Sequence, residues 1–365
     1  MKRGFSIYLD AIRVAAALFV VLAHLAYPRF SGDSLSMLRE WDYGRDAVII
    51  FFVLSGLVIS YVAERDGTWA RFAFNRATRI YSVLVPTLLL TLVYDRLGQT
   101  IAPAAYDGWW YAEIPAWQFL ASGLSFSNEW IFGHVRLGTN GPLWSLSYEA
   151  AYYLLFGVAF FLKGTVRLLL IVLVACLVGP RVLLLLPAWL CGVYAWRLIK
   201  QGNAEISKTT AVLLVLAGPI FYGASFTVGL PGFLTAVGEN WAAMLGVGAG
   251  LWFSNSFIWN TLIAALFMLH LVGVAHLMRS VRLERVGRVI RWLAGASFTL
   301  YVLHYPLLQF IHVLLPADMI GRPLVQLVLV LGICFAVAEL TERRLKGLRG
   351  FIRRKSQPTT VAASS

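Results

Sequence analysis

Residues 9–28 read Leu9-Asp10-Ala11-Ile12-Arg13-Val14-Ala15-Ala16-Ala17-Leu18-Phe19-Val20-Val21-Leu22-Ala23-His24-Leu25-Ala26-Tyr27-Pro28. Every residue between Arg13 and His24 is apolar. The hydrocarbon core of a bilayer takes about 20 such residues of helix, so the stretch reads as a membrane span that carries ionisable groups inside it. Lys2 and Arg3 ahead of it imitate the start of a signal peptide, but no small-x-small cleavage site follows, and the helix is expected to be uncleaved.

Nine further apolar runs follow, at 46–63, 80–97, 142–162, 166–180, 182–199, 209–228, 257–278, 293–314 and 320–341. The whole composition agrees. Of 365 residues 59% are hydrophobic and only 13% charged, with a mean hydropathy of +0.73. Soluble domains carry about twice that charge. A disordered chain, a disulfide scaffold and a soluble enzyme are excluded. The expected fold is an all-α polytopic membrane protein of about ten transmembrane helices with both termini cytoplasmic. Residues 1–345 form its transmembrane domain, and 346–365 a tail, first basic and then polar, with 356–365 disordered.

A net charge of +13 would suggest nucleic acid in a soluble protein. Here it follows the positive-inside rule, and no nucleic-acid partner is expected. With ten spans, 23 of the 31 Lys and Arg residues fall in inside segments, seven fall outside, and Arg13 lies within a span. An eleventh span through 241–253 would invert the basic tail. Gly246, Gly248 and Gly250 also weaken a helix there, so that run is expected at the outer face, interfacial or re-entrant. Cys176, Cys191 and Cys334 sit in apolar runs as packing residues.

Two outer segments stand out, 98–141 and 229–256. The first holds Trp109, Trp110, Trp117 and Trp130 with Asp107, Glu113 and Glu129. Rings that stack on C–H surfaces and carboxylates that accept hydroxyl hydrogens suit a polyhydroxylated ligand. An aromatic belt at the bilayer interface explains the same composition, and composition alone favours the belt.

Ionisable groups inside spans are costly and mark function by default. Arg13 and His24 are 11 residues apart, about three full turns and roughly 16 Å along one helix face. The imidazole can take and return a proton near neutral pH. A snorkelling Arg13 and a carbonyl-capping His24 explain the spacing equally well. Ser145, Glu149 and Tyr152 share a face of the fourth helix, with Glu149 at a depth comparable to His24. Arg76 and Arg79 lie one turn apart and suit phosphate, although lipid headgroup contact is the simpler reading of the spacing alone. His304 precedes Pro306, which frees the carbonyl of Val302. Nucleotide-binding loops, nucleophile elbows and metal clusters are absent from the sequence.

Five segments, in order, resemble the membrane acyltransferase 3 family, the type that O-acetylates O-antigens and exopolysaccharides. They are Leu9–Ala16 with His24; Phe51-Phe52-Val53-Leu54-Ser55-Gly56-Leu57; Arg76 and Arg79 followed by Ile80-Tyr81; Trp144-Ser145-Leu146-Ser147-Tyr148-Glu149; and Ser297–Leu307. Two positions depart from the family pattern. Ile49 stands where many relatives have an acid, with Asp46 a turn earlier, and Glu342-Arg343 is followed by Arg344 where a proline is usual.

The resemblance implies ten transmembrane helices in a bacterial inner membrane. It also implies acyl transfer, commonly of acetyl, from cytoplasmic acyl-CoA to a hydroxyl, commonly on a glycan at the outer face. No permanently bound cofactor and no metal are implied. His24 would be the base or would carry a transient acyl group, with Glu149 orienting it. Arg13, Arg76, Arg79, Ser55 and Gly56 would hold the donor. Asp10, Trp144, Ser145, Tyr152 and His304 would support the acceptor side. Membrane lipids are the remaining partner. Two alternatives use the same residues: a proton-coupled transporter or flippase of a polar substrate, and an acyltransferase acting on a lipid or small molecule.

Overall fold

A computed structural model describes residues 1–40, 43–131, 133–201, 206–247, 250–281 and 283–355. Gly248, Arg282 and the tail 356–365, all used in the expectations above, lie outside the described residues. Among the described residues there is no strand.

The chain opens with α1 (Arg3–Leu25), the single turn α2 (Pro28–Ser31), α3 (Tyr43–Asp66) and α4 (Trp69–Ile101). After α5 (Ala116–Ser125) come α6 (Trp144–Phe161), α7 (Gly164–Leu184), α8 (Leu186–Lys200), α9 (Lys208–Thr227), α10 (Leu230–Met244) and α11 (Phe257–Leu277). The chain continues through α12 (Glu284–Ala294), α13 (Ser297–Leu314), α14 (Arg322–Leu340) and α15 (Leu345–Lys355). Each of the ten apolar runs becomes a helix. Among the described residues eight helices are long and apolar enough to cross a membrane. The other two expected runs are α6, made less apolar by Ser145, Ser147 and Glu149, and α8, whose 15 residues give a rod of only about 22 Å.

Helix ends depart from the apolar runs for identifiable reasons. α1 ends at Leu25, not 28, because Tyr27 precedes Pro28 and is pushed to extended backbone (ψ 139°). α4 begins eleven residues before its apolar run, capped by the Thr68 hydroxyl on the Arg71 N–H. Its charged first turns stay helical, so Arg76 and Arg79 project from the same rod as the span. α7 bends at Gly179 (φ 77°), just before Pro180. The five basic residues expected in a loop before the ninth span fall partly on α12, which leaves Val286, Val289 and Trp292 exposed to the surroundings. The described residues of 241–253 form no helix long enough to span. They hold the end of α10 and a turn at 252–254.

α3 is the central helix. It packs against α1, α4, α6, α8 and α11, and most of its residues are buried. Its contact with α8 is the closest in the bundle. A Cβ on Gly56 would collide with the Trp189 carbonyl, and one on Gly192 with the Val53 carbonyl. Small residues allow such backbone approach between membrane helices. Asp46 is drawn into this packing: it accepts from Tyr222 Oη at 2.7 Å and Trp259 Nε1 at 3.1 Å, joining α3 to α9 and α11.

Two measurements check this arrangement. Gly56→Ala should force α3 and α8 apart and lower stability by about 1–3 kcal/mol, read as a lower unfolding temperature in detergent. With Cys176, Cys191 and Cys334 replaced, Asn240→Cys on exposed α10 should react with an impermeant thiol reagent only from outside. Labelling only from the cytoplasm would refute the ten-crossing topology.

Candidate active site

Five helices meet around a cavity of about 100 Å³. Each of the five sequence motifs contributes to its wall. α1 brings Arg13, α3 brings Ser55, α4 brings Arg76 and Arg79, α6 brings Ser145 and Glu149, and α13 brings Tyr301. Residues scattered over almost 300 positions are thus gathered at one place by helix packing.

The charges there are unevenly paired. Arg13 lies 3.4 Å from Asp10, its neighbour one turn back. Arg76 and Arg79 make no side-chain hydrogen bond or ion pair to the described residues, and Arg76 Nε is buried without a partner. Glu149 Oε1 accepts from Ser55 Oγ at 2.5 Å and from Tyr153 Oη. Ser55 in turn accepts from Trp189 Nε1 at 3.2 Å. Glu342, at the departing carboxy-terminal motif, accepts from the Thr299 N–H at 3.1 Å and lies within electrostatic reach of Arg13 and Arg79.

The expected pairing of Glu149 with His24 does not form. His24 Nδ1 instead faces His304 Nε2 at 2.9 Å. Glu149 is held among the arginines because Ser55 and Tyr153 supply its donors on that side. Three further expectations are corrected by packing. Gly56 faces α8 and not the cavity. Tyr152 is fully buried against Phe52 and Trp189 and donates to the Val182 carbonyl at 2.6 Å. Trp144 stacks on Phe253 at 4.3 Å, fastening the outer segment to α6. Ser145 does reach the cavity wall, where it bonds Tyr301 Oη at 2.5 Å.

Tyr301 connects the two halves of the site. It lines the cavity, and its ring lies 6.3 Å from that of His304. Beyond the histidines comes a cationic aromatic layer. Tyr27 and Tyr305 set their edges to His24, and Arg29 donates to Tyr305 Oη at 2.8 Å while lying 4.7 Å over Trp110. Tyr27 also meets Trp109, and Trp109 borders an outer cleft of about 380 Å³. Tyr111, His134, Arg136 and Trp252 complete much of its lining. His134 stacks on Trp252 at 4.4 Å, and Trp252 is held at φ 48°, a conformation strained for a side-chain-bearing residue. Burial lowers the pKa of Arg136 from the ordinary guanidinium value, an effect opposed by Tyr305 and Glu129. Glu129 is not open to a ligand: it is buried between His134 at 2.9 Å and Arg181 at 3.2 Å.

Two polar residues that support the site are not evident from motif spacing. Asn140 Nδ2 donates to the Val302 carbonyl at 2.9 Å and to Thr91 Oγ1 at 3.1 Å. Pro306 had removed that carbonyl's helical donor. Asp95 accepts from the Thr139 N–H at 2.9 Å and its hydroxyl at 2.5 Å. An acid inside the last turn of an apolar run was the available signal for Asp95, and a proline four residues after an orphaned carbonyl was the signal for a donor such as Asn140. Among the described residues no group of three His, Cys, Asp or Glu side chains is placed to hold a metal.

An apolar helix bundle around a charged cavity defines a multi-pass membrane protein with an internal site. Residues 6–341 match the family described as "Acyltransferase domain", and the chain belongs to that family. It is similar to "Acyltransferase MdmB" of Streptomyces mycarofaciens, 30% identical over 153 residues, which are 40% of this chain and 37% of that one. It is also similar to "O-acetyl transferase" of Shigella phage Sf6, 32% identical over 155 residues, 41% of this chain and 44% of that one. The matched stretches therefore span less than half of either relative. No solved structure matches the chain.

Asn140→Leu keeps the volume but removes both donors. A buried acceptor left without a partner costs about 1–3 kcal/mol, so the variant should unfold at a lower temperature in detergent. An unchanged transition would mean that Val302 is satisfied in another way.

Proposed function

We propose that the protein transfers an acyl group, the small acetyl group, from cytoplasmic acyl-CoA to a hydroxyl of a cell-envelope or exported glycan, at a bacterial inner membrane. The observation that supports this best is the pair Arg76 and Arg79, unpaired guanidiniums beside Arg13 at one internal cavity. Guanidinium forks bind phosphate oxygens bidentately, and the phosphates of CoA are a matching anion. The family and the relative named an O-acetyl transferase support the reaction type. The outer cleft with its Trp109, Tyr111 and Trp252 rings supports a sugar-bearing acceptor.

In this reading the pantetheine arm runs from the arginines towards Tyr301. The acceptor hydroxyl approaches His24 from the outer side. His24 takes the hydroxyl proton while that oxygen attacks the thioester carbonyl carbon. The new C–O bond forms, the C–S bond breaks, and the leaving thiolate recovers the proton from His24. Glu149 acts on the donor side, where it holds Ser55 and Tyr153 on the cavity wall.

Purified protein in nanodiscs should release CoA from acetyl-CoA, faster when acceptor is present. Proton-coupled flux of a polar solute without CoA turnover would decide for a transporter. Arg79→Ala should weaken acyl-CoA binding about ten- to a hundredfold, and Arg79→Lys should recover only part of it, as a point charge replaces a fork. His24→Ala should lower turnover about 10²–10⁴-fold while acyl-CoA still binds. A His24→Gln protein with full turnover would remove His24 as the base.

A further inference from the structure

The contact between His24 and His304 contains more information than proximity. For two facing ring nitrogens to form a hydrogen bond, one must carry a proton and the other a lone pair. The far side of His304 settles which is which. Its Nδ1 lies 3.0 Å from the Leu300 carbonyl oxygen. A carbonyl oxygen only accepts, so His304 Nδ1 carries the proton. A neutral imidazole has one such proton, and His304 Nε2 is therefore an acceptor. His24 Nδ1 must then donate at 2.9 Å, and the lone pair of His24 is left on Nε2.

The surroundings agree with two neutral rings. The charged neighbour of His24 is the Arg29 guanidinium, and among the described residues no carboxylate forms an ion pair with either ring. Among the described residues His24 Nε2 makes no hydrogen bond and is left for an incoming group, while the Val20 carbonyl, one turn back on α1, also bonds the ring. Tyr27 and Tyr305 hold the ring from the sides with edge contacts at 5.4 and 4.7 Å.

We propose that His304 is a positioning residue which fixes His24 in the tautomer whose Nε2 accepts the substrate proton. The proposal rests on the reading of His24 as the base. The chain runs from the Leu300 carbonyl through His304 to His24, with the carbonyl standing where hydrolytic triads place a carboxylate. A carbonyl orients the ring without adding a buried charge. The proton leaves the acceptor oxygen for His24 Nε2 and returns from it to the thiolate sulfur. His304 keeps its own proton throughout and touches neither substrate. Its helix is fixed near this point by Asn140, whose amide caps the Val302 carbonyl two residues before His304.

Imidazole ¹⁵N NMR on histidine-labelled protein reads the tautomer, with the His24 signals assigned by their loss in His24→Ala. In the wild type, His24 should show a lone-pair-bearing Nε2 and a proton-bearing Nδ1. His304→Phe keeps a ring but offers no acceptor. It should let the two His24 tautomers mix and should lower turnover about 10²–10⁴-fold, the scale of a mis-set tautomer in a catalytic triad, with the KM for acetyl-CoA unchanged. His304→Gln, whose Oε1 can accept from His24 Nδ1, should restore the tautomer and bring turnover to within about tenfold of wild type. A proton on His24 Nε2 in the wild type, or full turnover in His304→Phe, would overturn the proposal. Should the Phe variant fail to fold, the wild-type spectrum still decides. Full turnover in His24→Gln would instead defeat the base assignment itself, a failure recognisable because the wild-type spectrum would still show the lone pair on Nε2.

Discussion

The hydrogen bond from Asn140 to the Val302 carbonyl holds the two ends of the site together. In a bilayer no water is available to a freed backbone group, and protein must supply the partner. Pro306 frees the carbonyl within α13, and Asn140 answers it from the turn that opens α6 while bonding Thr91 of α4. One amide thereby fixes three elements next to His304. The same solution recurs elsewhere: Pro219 frees the Val215 carbonyl in α9, and His270 of α11 meets it through Nδ1 at 2.8 Å. Proline in these helices acts as a docking point for a neighbour.

The arginines of the cavity contrast with the carboxylates of the bundle. Elsewhere in the bundle interior, Asp46, Asp95 and Glu149 each have two or more donors. Arg76 and Arg79 form no ion pair or side-chain hydrogen bond to the described residues, with Asp66 and Glu342 acting on them only at longer range, and guanidinium groups withdrawn from water without a direct partner are expensive. The expense is reasonable where an anionic ligand completes the pairing. The rigid contact of α3 with α8 through Gly56 and Gly192 supports the opposite wall, so the site is cradled between a stiff helix pair and the proline-bearing α13.

Hydropathy located the helices well because lipid imposes a simple rule on spanning segments. Each apolar run became a helix, and the described residues of 241–253 form no helix long enough to span. The ends were harder to place, since α4 extends into charged sequence that hydropathy counts as loop. The structure gathers Arg13, Ser55, Arg76, Arg79, Ser145 and Glu149 at one cavity, whereas the sequence reading sets Ser145 and Glu149 apart from the arginines, on the side of His24. Their partners were not legible. Residues on one helix face, such as Glu149 and Tyr152, need not share a neighbour, because the bundle surrounds a central helix on several sides. Glu149 met Tyr153 instead, and His24 met a histidine 280 positions away. Such pairings depend on how helices rotate against one another, which sequence spacing does not encode.

Phe51 and Tyr301, with ring centroids 5.3 Å apart, both line the cavity, and the Tyr301 ring lies 6.3 Å from that of His304. A protein with a water-filled recess on each side of a membrane needs a septum, or it leaks protons and dissipates the gradient across the bilayer. Between the cavity and His304, Tyr301 gives that septum the thickness of a side chain. On the proposed reaction, only an acyl group a few atoms long has to cross it, while the highly charged nucleotide portion of the donor stays on the side from which it came. The barrier to ions and the passage for the acyl group can therefore be the same few ångströms of protein.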